Sequence, residues 1–299
     1  MLDYPSLAAV ASVVREGSFE RAARALHVTA SAVSQRIKGL EERLGSVLIV
    51  RGTPCTATDA GRLLCRHIER VGMLELDLQL ALPKLEPDAG SAGRVTLRVA
   101  VNADSLGTWF IRAMADFVNA DPALLDLALD DEEHTAEWLR SSQVLAAVTS
   151  GARVVPGCAS VALGRLRYAA VASPSFRRRY FAGGVTAASL AQAPRLSFNR
   201  KDRLQAQWMR LVCRRPVDTP THWLPSTQAF IDASSAGIGW GMNPVSLVQP
   251  QLRAGTLVEL VPGRSLAVSL YWQHTRLPVP MLDRLTRAVI ASARLALEQ

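Results

Sequence analysis

Cysteine is scarce in this chain, and its four residues, Cys55, Cys65, Cys158 and Cys213, stand apart. None makes a C-x-x-C pair and no histidine lies near them at ligand spacing, so neither a zinc site nor a disulfide framework is expected, only reduced thiols. Long apolar runs are missing too: no uncharged stretch reaches the roughly 18 residues that cross a bilayer. The apolar segment Leu7 to Val14 follows Asp3 instead of a basic stretch and ends at Arg15-Glu16, which does not read as a secretion signal. A cytoplasmic protein without a membrane partner is the expectation. Catalytic signatures are also lacking. There is no G-x-S-x-G elbow, P-loop or H-E-x-x-H, and the five histidines are scattered singly. An enzyme is therefore not expected, nor a metal or other cofactor. Internal repeats and low-complexity tracts are absent.

What the chain does contain is apolar residues, 49% of 299, and excess positive charge, +8. The first supports a folded protein of two or three compact units. The second favours polyanionic partners, nucleic acid before membrane.

Residues 4–82 read as almost wholly helical. Leu7, Val10, Ala11 and Val14 share a face and Gly17 can end that helix. Ser18 can cap a short helix from Phe19 to Leu26. After a tight turn at His27-Val28, Thr29 can cap a third helix with Val33, Ile37, Leu40 and Leu44 inward and Gly45 at its end. Val47 to Val50 and Thr56 to Thr58 read as two short strands around a turn. A long helix follows from Asp59 to about Leu82, with a coiled-coil-like seam of Leu64, Ile68, Val71, Leu78 and Leu82. Residues 83–93 are a linker by composition. Beyond it the pattern becomes α/β. A strand is expected at 95–101 and a helix at about 105–118. Short strands follow near 125–129, 144–149, 160–163, 168–172, 195–198 and 221–224, then Leu266 to His274. A last amphipathic helix runs from Met281 to Leu297, with Leu282, Leu285, Val289, Ala293 and Leu297 inward.

Short helices joined by a tight turn, followed by a hairpin, suit a winged helix-turn-helix. Its recognition helix must present small polar and basic residues outward while an apolar stripe packs inward. Ser31, Ser34, Gln35 and Lys38 share the outward side. Gln35 can pair bidentately with adenine, and the two serines can reach bases or phosphates. Arg36, Lys38, Arg51, Thr56 and Thr58 are candidates for phosphate contacts. Ser18, Arg21 and Thr29 complete the candidate DNA-binding set.

The ordered string Ser18-Phe19-x-x-Ala22-Ala23-x-x-Leu26-x-Val28-Thr29-x-Ser31-Ala32-Val33-Ser34-Gln35-x-Ile37-x-x-Leu40-Glu41-x-x-Leu44-Gly45 resembles the signature of LysR-type transcriptional regulators. Arg51-x6-Thr58-x-Ala60-Gly61 resembles their wing and linker-helix start. Ala30 departs from the family, which often carries Gln there. The resemblance implies an N-terminal winged helix-turn-helix at 1–58. A linker and dimerisation helix with its hinge would occupy 59–93. A periplasmic-binding-protein-like effector domain of two α/β lobes would occupy 94–299, lobe one being 94–163 plus 269–299 and lobe two 164–268. It implies homodimers or dimers of dimers on double-stranded promoter DNA in the nucleoid, with RNA polymerase as a further partner.

Within the family, Val99-Ala100-Val101-Asn102-Ala103-Asp104-Ser105-Leu106-x-Thr108-Trp109, Gly157-Cys158, Pro220-Thr221-His222, Gly237-x-Gly239-Trp240-Gly241-Met242 and Leu270-Tyr271-Trp272-Gln273 resemble the lysine- and arginine-responsive LysG/ArgP group. That implies a basic amino acid as effector and an exporter gene as target. The residue chemistry agrees. Asn102, Ala103, Asp104 and Ser105 lie at a strand-to-helix junction, where backbone N–H groups suit a carboxylate. From Ala113 to Leu139 there are eight acids and no Lys or Arg. Asp131, at the carboxyl end of the strand 125–129, is the candidate partner for the cation. Thr149, Asn199, Asp202, Trp240, Gly241 and Met242 complete the candidate effector site. From Gly164 to Val217 the bias reverses: twelve Lys or Arg against Asp202 alone. Two alternatives stay open, a regulator of this type with another effector and an architectural or replication-inhibiting DNA-binding protein without one.

Overall fold

The computed structural model describes residues 3–81, 95–120, 123–129, 138–140, 143–276 and 279–299. The described residues divide into two compact units, the first falling within residues 1–97, 121–124 and 277–283 and the second within 98–120, 125–276 and 284–299.

The first unit opens with α1 (Tyr4–Glu16), α2 (Phe19–Ala25) and α3 (Ala30–Leu44). Each boundary has a local cause. Ser18 accepts a hydrogen bond from the Arg21 amide and Thr29 one from the Ala32 amide, while Gly17 and Gly45 end α1 and α3 in the left-handed region. Strands β1 (Ile49–Val50) and β2 (Thr56–Ala57) pair antiparallel as the wing. The long α4 (Asp59–Ala81) follows. Leu7, Val10, Val13, Val33, Ile37, Leu40 and Leu48 form one buried core, and Ala60, Leu64, Cys65 and Ile68 of α4 pack against it. The early turns of α4 thus belong to the same core as the helix-turn-helix.

Leu44, expected to face inward, is exposed, and so is Val47, expected to open the strand. Leu44 is 44% and Val47 64% accessible, because α3 stops at Gly45 and the strand begins only at Ile49. Gly61 sits so close beneath the wing that a Cβ there would meet the Leu48 carbonyl oxygen at 2.1 Å. Glu41 ties the same segment from the other side, its Oε1 accepting from the Leu48 amide at 2.7 Å and the Ile49 amide at 3.3 Å.

In the second unit the chain runs β3 (Thr96–Val101), α5 (Ala103–Ser105), a π-helical turn (Leu106–Phe110), α6 (Ile111–Val118), β4 (Leu124–Leu129), β5 (Ala146–Thr149) and the long β6 (Cys158–Ala172). Next come α7 (Pro174–Phe181), α8 (Ala187–Gln192), β7 (Arg195–Ser197), α9 (Leu204–Cys213), β8 (Thr221–Trp223), α10 (Thr227–Ser235), β9 (Gly241–Pro244), α11 (Val245–Ala254), β10 (Val258–Glu259), β11 (Leu266–Thr275) and α12 (Pro280–Ala296).

The main sheet has the order β10-β6-β11-β5-β3-β4, with β9 also paired to β6. Strands β6 and β11 run antiparallel from one lobe into the other, with a register shift between Leu270 and Tyr271. The sequence suggested two strands, 160–163 and 168–172, where the molecule has one. Gly164, Arg165 and Arg167 interrupt the apolar pattern, yet Arg165 and Arg167 are exposed while Leu166 and Tyr168 are buried, a regular period of two. Strand β7 pairs parallel with β8 in a separate small sheet.

Lobe one packs Ala100, Ala128, Leu139, Val144 and Ala147. Lobe two packs Ala169, Val171, Ile231, Val248 and Leu257, with a second cluster of Leu196, Phe230 and Ala233. The π-helical turn breaks the expected single helix at 105–118. Its wider winding leaves the Trp109 carbonyl to accept a hydrogen bond from the Ser292 hydroxyl on α12 at 3.0 Å.

Candidate functional site

The first candidate site is the outer face of α3. Ser31, Ser34, Gln35 and Lys38 fall at intervals of three, four and seven residues, hence on one side. Ser31, Gln35 and Lys38 are exposed and Ser34 is half-buried, whereas Val33, Ile37 and Leu40 are buried beneath. An α-helix with small polar residues and an amide outward has the width and donor set to read a major groove. Arg36 is half-buried on the flank. Lys38 lies 3.8 Å from Glu42, a solvent-exposed pair that a phosphate can readily replace. The Arg51 guanidinium sits over the Phe19 ring, 5.2 Å from its centroid, which fixes its plane and leaves edge N–H groups for phosphate.

Of the other candidates in this unit, Ser18, Thr29 and Thr58 are already engaged. The Ser18 hydroxyl donates to Glu20 at 2.9 Å. The Thr58 hydroxyl donates to the Val47 carbonyl at 2.7 Å and accepts from the Gly61 amide. Thr58 therefore ties wing to α4 instead of offering a donor to DNA. Thr29 caps α3, and Thr56 and Arg21 are exposed.

The second candidate site is a cavity of about 630 Å³ between the two lobes of the second unit. Asn102, Ala103, Asp104, Thr149, Asp202 and Met242 all line it, so residues far apart in sequence converge as expected. Four others miss the wall. Trp240 is fully buried and packs at a tilt against Trp208 in lobe two, ring centroids 5.2 Å apart. Gly241 is buried in β9 beneath Phe230. Ser105 is fully buried, with its amide donating to Asn102 Oδ1. Asn199 folds back to accept from the amides of Lys201 and Asp202. Asp131 lies outside the described residues.

The cavity carries both signs of charge. Arg140, Arg153, Lys201 and Arg203 line it, as do the carboxylates of Asp104 and Asp202. Asp104, at the start of α5 in lobe one, accepts from the Tyr168 hydroxyl and from the Thr227 hydroxyl of lobe two, both at 2.8 Å. Both bonds span the lobes. Burial pushes the Asp104 carboxyl above its ordinary pKa, the Thr227 and Tyr168 hydrogen bonds pull it down, and the nearby Asp202 charge pushes it up again. Asp202 is held by the Ser197 hydroxyl and by the amides of Phe198 and Leu204. Gln273 spans the floor, accepting from the Val155 amide and donating to Thr149 and the Arg153 carbonyl.

Tyr168, Thr227, Asn243 and the four cations were not singled out from the sequence. Only their shared position reveals them, because none stands in a motif. Burial also raises the thiol pKa values of Cys158 and Cys213 and pushes Cys65 up to about 11. All four thiols are free. Among the described residues no cluster of metal-ligating side chains occurs, and no helix is long and apolar enough to cross a membrane.

A groove-reading helix on one unit and a two-lobed cavity for a small charged molecule on the other define the class: a ligand-responsive, DNA-binding regulator. The chain belongs to the LysR family. Residues 5–62 match the model of the bacterial regulatory helix-turn-helix protein, lysR family, and residues 90–294 that of the LysR substrate binding domain. It is 45% identical to the HTH-type transcriptional regulator LysG of Mycobacterium tuberculosis over 292 residues, 98% of this chain and 94% of that relative. Its fold is similar to the crystal structure of ArgP from Mycobacterium tuberculosis, with a TM-score of 0.81, 42% identity and coverage of 100% and 99% of the two chains. Full-length LysG from Corynebacterium glutamicum with bound effector Arg is also similar, with a TM-score of 0.71, 36% identity and both chains fully covered.

Proposed function

We propose that this protein is a transcription regulator, not an enzyme, whose effector is a basic amino acid, arginine or lysine. The observation that carries the reading is the cavity itself. It is the size of a small-molecule site, and it offers Arg and Lys side chains for a carboxylate together with two buried or anchored carboxylates for cationic groups. A zwitterion with a second positive charge is the ligand that uses both. The similarity to a LysG protein holding Arg supports the same ligand class.

The regulator acts in the cytoplasm on promoter DNA as a homodimer, and as a dimer of dimers. Leu63, Leu74 and Leu78 lie on one side of α4 and are each more than half exposed, a stripe suited to a second copy of that helix. Two recognition helices together read a pseudo-palindrome, which one alone is too short to specify. The regulated gene encodes an exporter of basic amino acids, and polymerase recruitment changes when the lobes close. The ligand drives that change only through unequal affinity for the two states.

The test is a footprint on operator DNA selected from random sequence by the purified protein. We expect a pseudo-palindromic protected site whose boundary or affinity shifts when arginine or lysine is added. A footprint indifferent to both, with another small molecule able to move it, contradicts the effector assignment.

A further inference from the structure

Four amides of the segment that leaves α3 converge on one residue, Glu41. Its carbonyl oxygen accepts from the amides of Gly45 and Ser46. Its side-chain Oε1 accepts from those of Leu48 and Ile49, at 2.7 and 3.3 Å. Glu41 thus holds both the end of the recognition helix and the root of the wing. Leu48 is fully buried, where a backbone amide needs an acceptor. A carboxylate oxygen is a strong one.

Strand β1 runs from that root straight into Arg51, which is exposed. The Arg51 guanidinium lies over the Phe19 ring, 5.2 Å from its centroid. Arg51 is therefore held at its tip by Phe19 and at its backbone by Glu41 through β1. A long cation fixed in this way loses less freedom when it grips a phosphate. On the other side of the root, the Thr58 hydroxyl donates to the Val47 carbonyl and the Thr58 amide to the Leu48 carbonyl. Those bonds tie the wing to α4. The Glu41 bonds tie it to α3, the helix with the base-reading face.

We propose that Glu41 is a positioning residue for DNA binding: it sets the wing against the recognition helix, so that Arg51 meets the phosphate backbone in step with base readout by α3. The reading rests on a phosphate contact by Arg51. Phosphate contacts fix register and carry no sequence information, whereas base contacts specify. A misplaced wing therefore costs affinity on every sequence and leaves discrimination between sequences in place. Removing the carboxylate also removes a negative charge that repels DNA. Alanine at this position is therefore compared with glutamine, which is equally neutral but keeps an oxygen to accept the two amides.

The experiment is a set of fluorescence-anisotropy titrations of the full-length protein on the selected operator and on a random duplex, across a range of salt concentrations. Glu41→Gln is expected to bind within about twofold of wild type. Glu41→Ala is expected to bind both DNAs about tenfold more weakly than Glu41→Gln. Its slope of log affinity against log salt becomes shallower by about one for each protomer bound. Arg51→Ala should show the same change of slope, and adding Glu41→Ala to it should cost nothing further. A slope in Glu41→Ala equal to that of Glu41→Gln overturns the proposal and leaves Glu41 a merely structural residue. So does an undiminished loss in the Arg51→Ala background, or a loss in Glu41→Gln as large as in Glu41→Ala. An unchanged slope in Arg51→Ala removes the phosphate contact, and the proposal with it, while DNA binding by α3 stands. If Glu41→Ala fails to fold, Glu41→Asp takes its place: it keeps the charge, draws the oxygens back by one methylene, and is read against wild type with the same outcomes.

Discussion

Gly61 shows how much a single position can carry. It lies in the first turn of α4, and any side chain there runs into the Leu48 carbonyl at the root of the wing. We expect Gly61→Ala to destabilise the helix-turn-helix unit by about 1–3 kcal/mol through overpacking. Denaturant unfolding followed by a probe in that unit checks this; an unchanged midpoint would place the wing free of α4. Asp104 carries a different kind of consequence. Its raised pKa places the folded carboxyl above the unfolded one, so the group favours the folded state fully below the unfolded value. That contribution is lost as pH rises through the folded value. The cationic effector needs the charged form. Arginine affinity should therefore weaken on acidification, as Asp104 takes up a proton above the usual aspartate range. Titrations across pH, compared with Asp104→Asn, check this: the variant should lose that part of the pH dependence. Tyr168 and Asp202 are the titratable groups that act on Asp104, and the four cations line the same cavity. At this scale Asp104 was legible because it stands at a strand-to-helix junction. Asn243 was not: its Oδ1 is buried without a hydrogen-bond partner, and an orphaned amide shows itself only once its surroundings are known.

At the scale of elements, α3 is the part whose use was plainest in the sequence. Its cap Thr29, its stop Gly45 and the inward positions Val33, Ile37 and Leu40 all follow from local rules. Residues on the opposite side remain for DNA. Gln35→Ala should weaken binding to the selected operator by about 1–3 kcal/mol and leave random-sequence binding nearly unchanged; an equal loss on both, measured by fluorescence anisotropy, would remove Gln35 from base readout. Helix α4, with its exposed leucine stripe, is the element proposed to pair two copies of the reader. Leu74→Lys with Leu78→Lys should yield a monomer by sedimentation, with operator affinity lost. Retained dimers would assign the interface elsewhere. Strands were harder to read than helices. β9 and β10 were missed because each is short and buried or half-buried, with no alternation to mark it. β6 was divided because its two arginines mimic a loop. The π-helical turn has no sequence signal separate from that of an ordinary helix, and only the bond from Ser292 shows its effect.

For the whole molecule, the division of labour was visible in the chain: a helical start and an α/β remainder. Which side chains meet in the cavity was not, since Asp104, Thr149, Asp202 and Asn243 are brought together by a sheet whose strands come from distant segments. Lys and Arg dominate residues 164–217, yet the acid among them, Asp202, reaches the cavity along with Lys201 and Arg203. The account turns on that cavity closing over a basic amino acid. The direct measurement is the melting temperature of the purified full-length protein with each of the twenty amino acids in turn. Arginine and lysine are predicted to stabilise it, by about 2.7 kcal/mol at a hundred times their Kd, and neutral and acidic amino acids to leave it in place. A melting temperature unmoved by arginine and lysine at millimolar concentrations, or moved equally by all twenty, would contradict it.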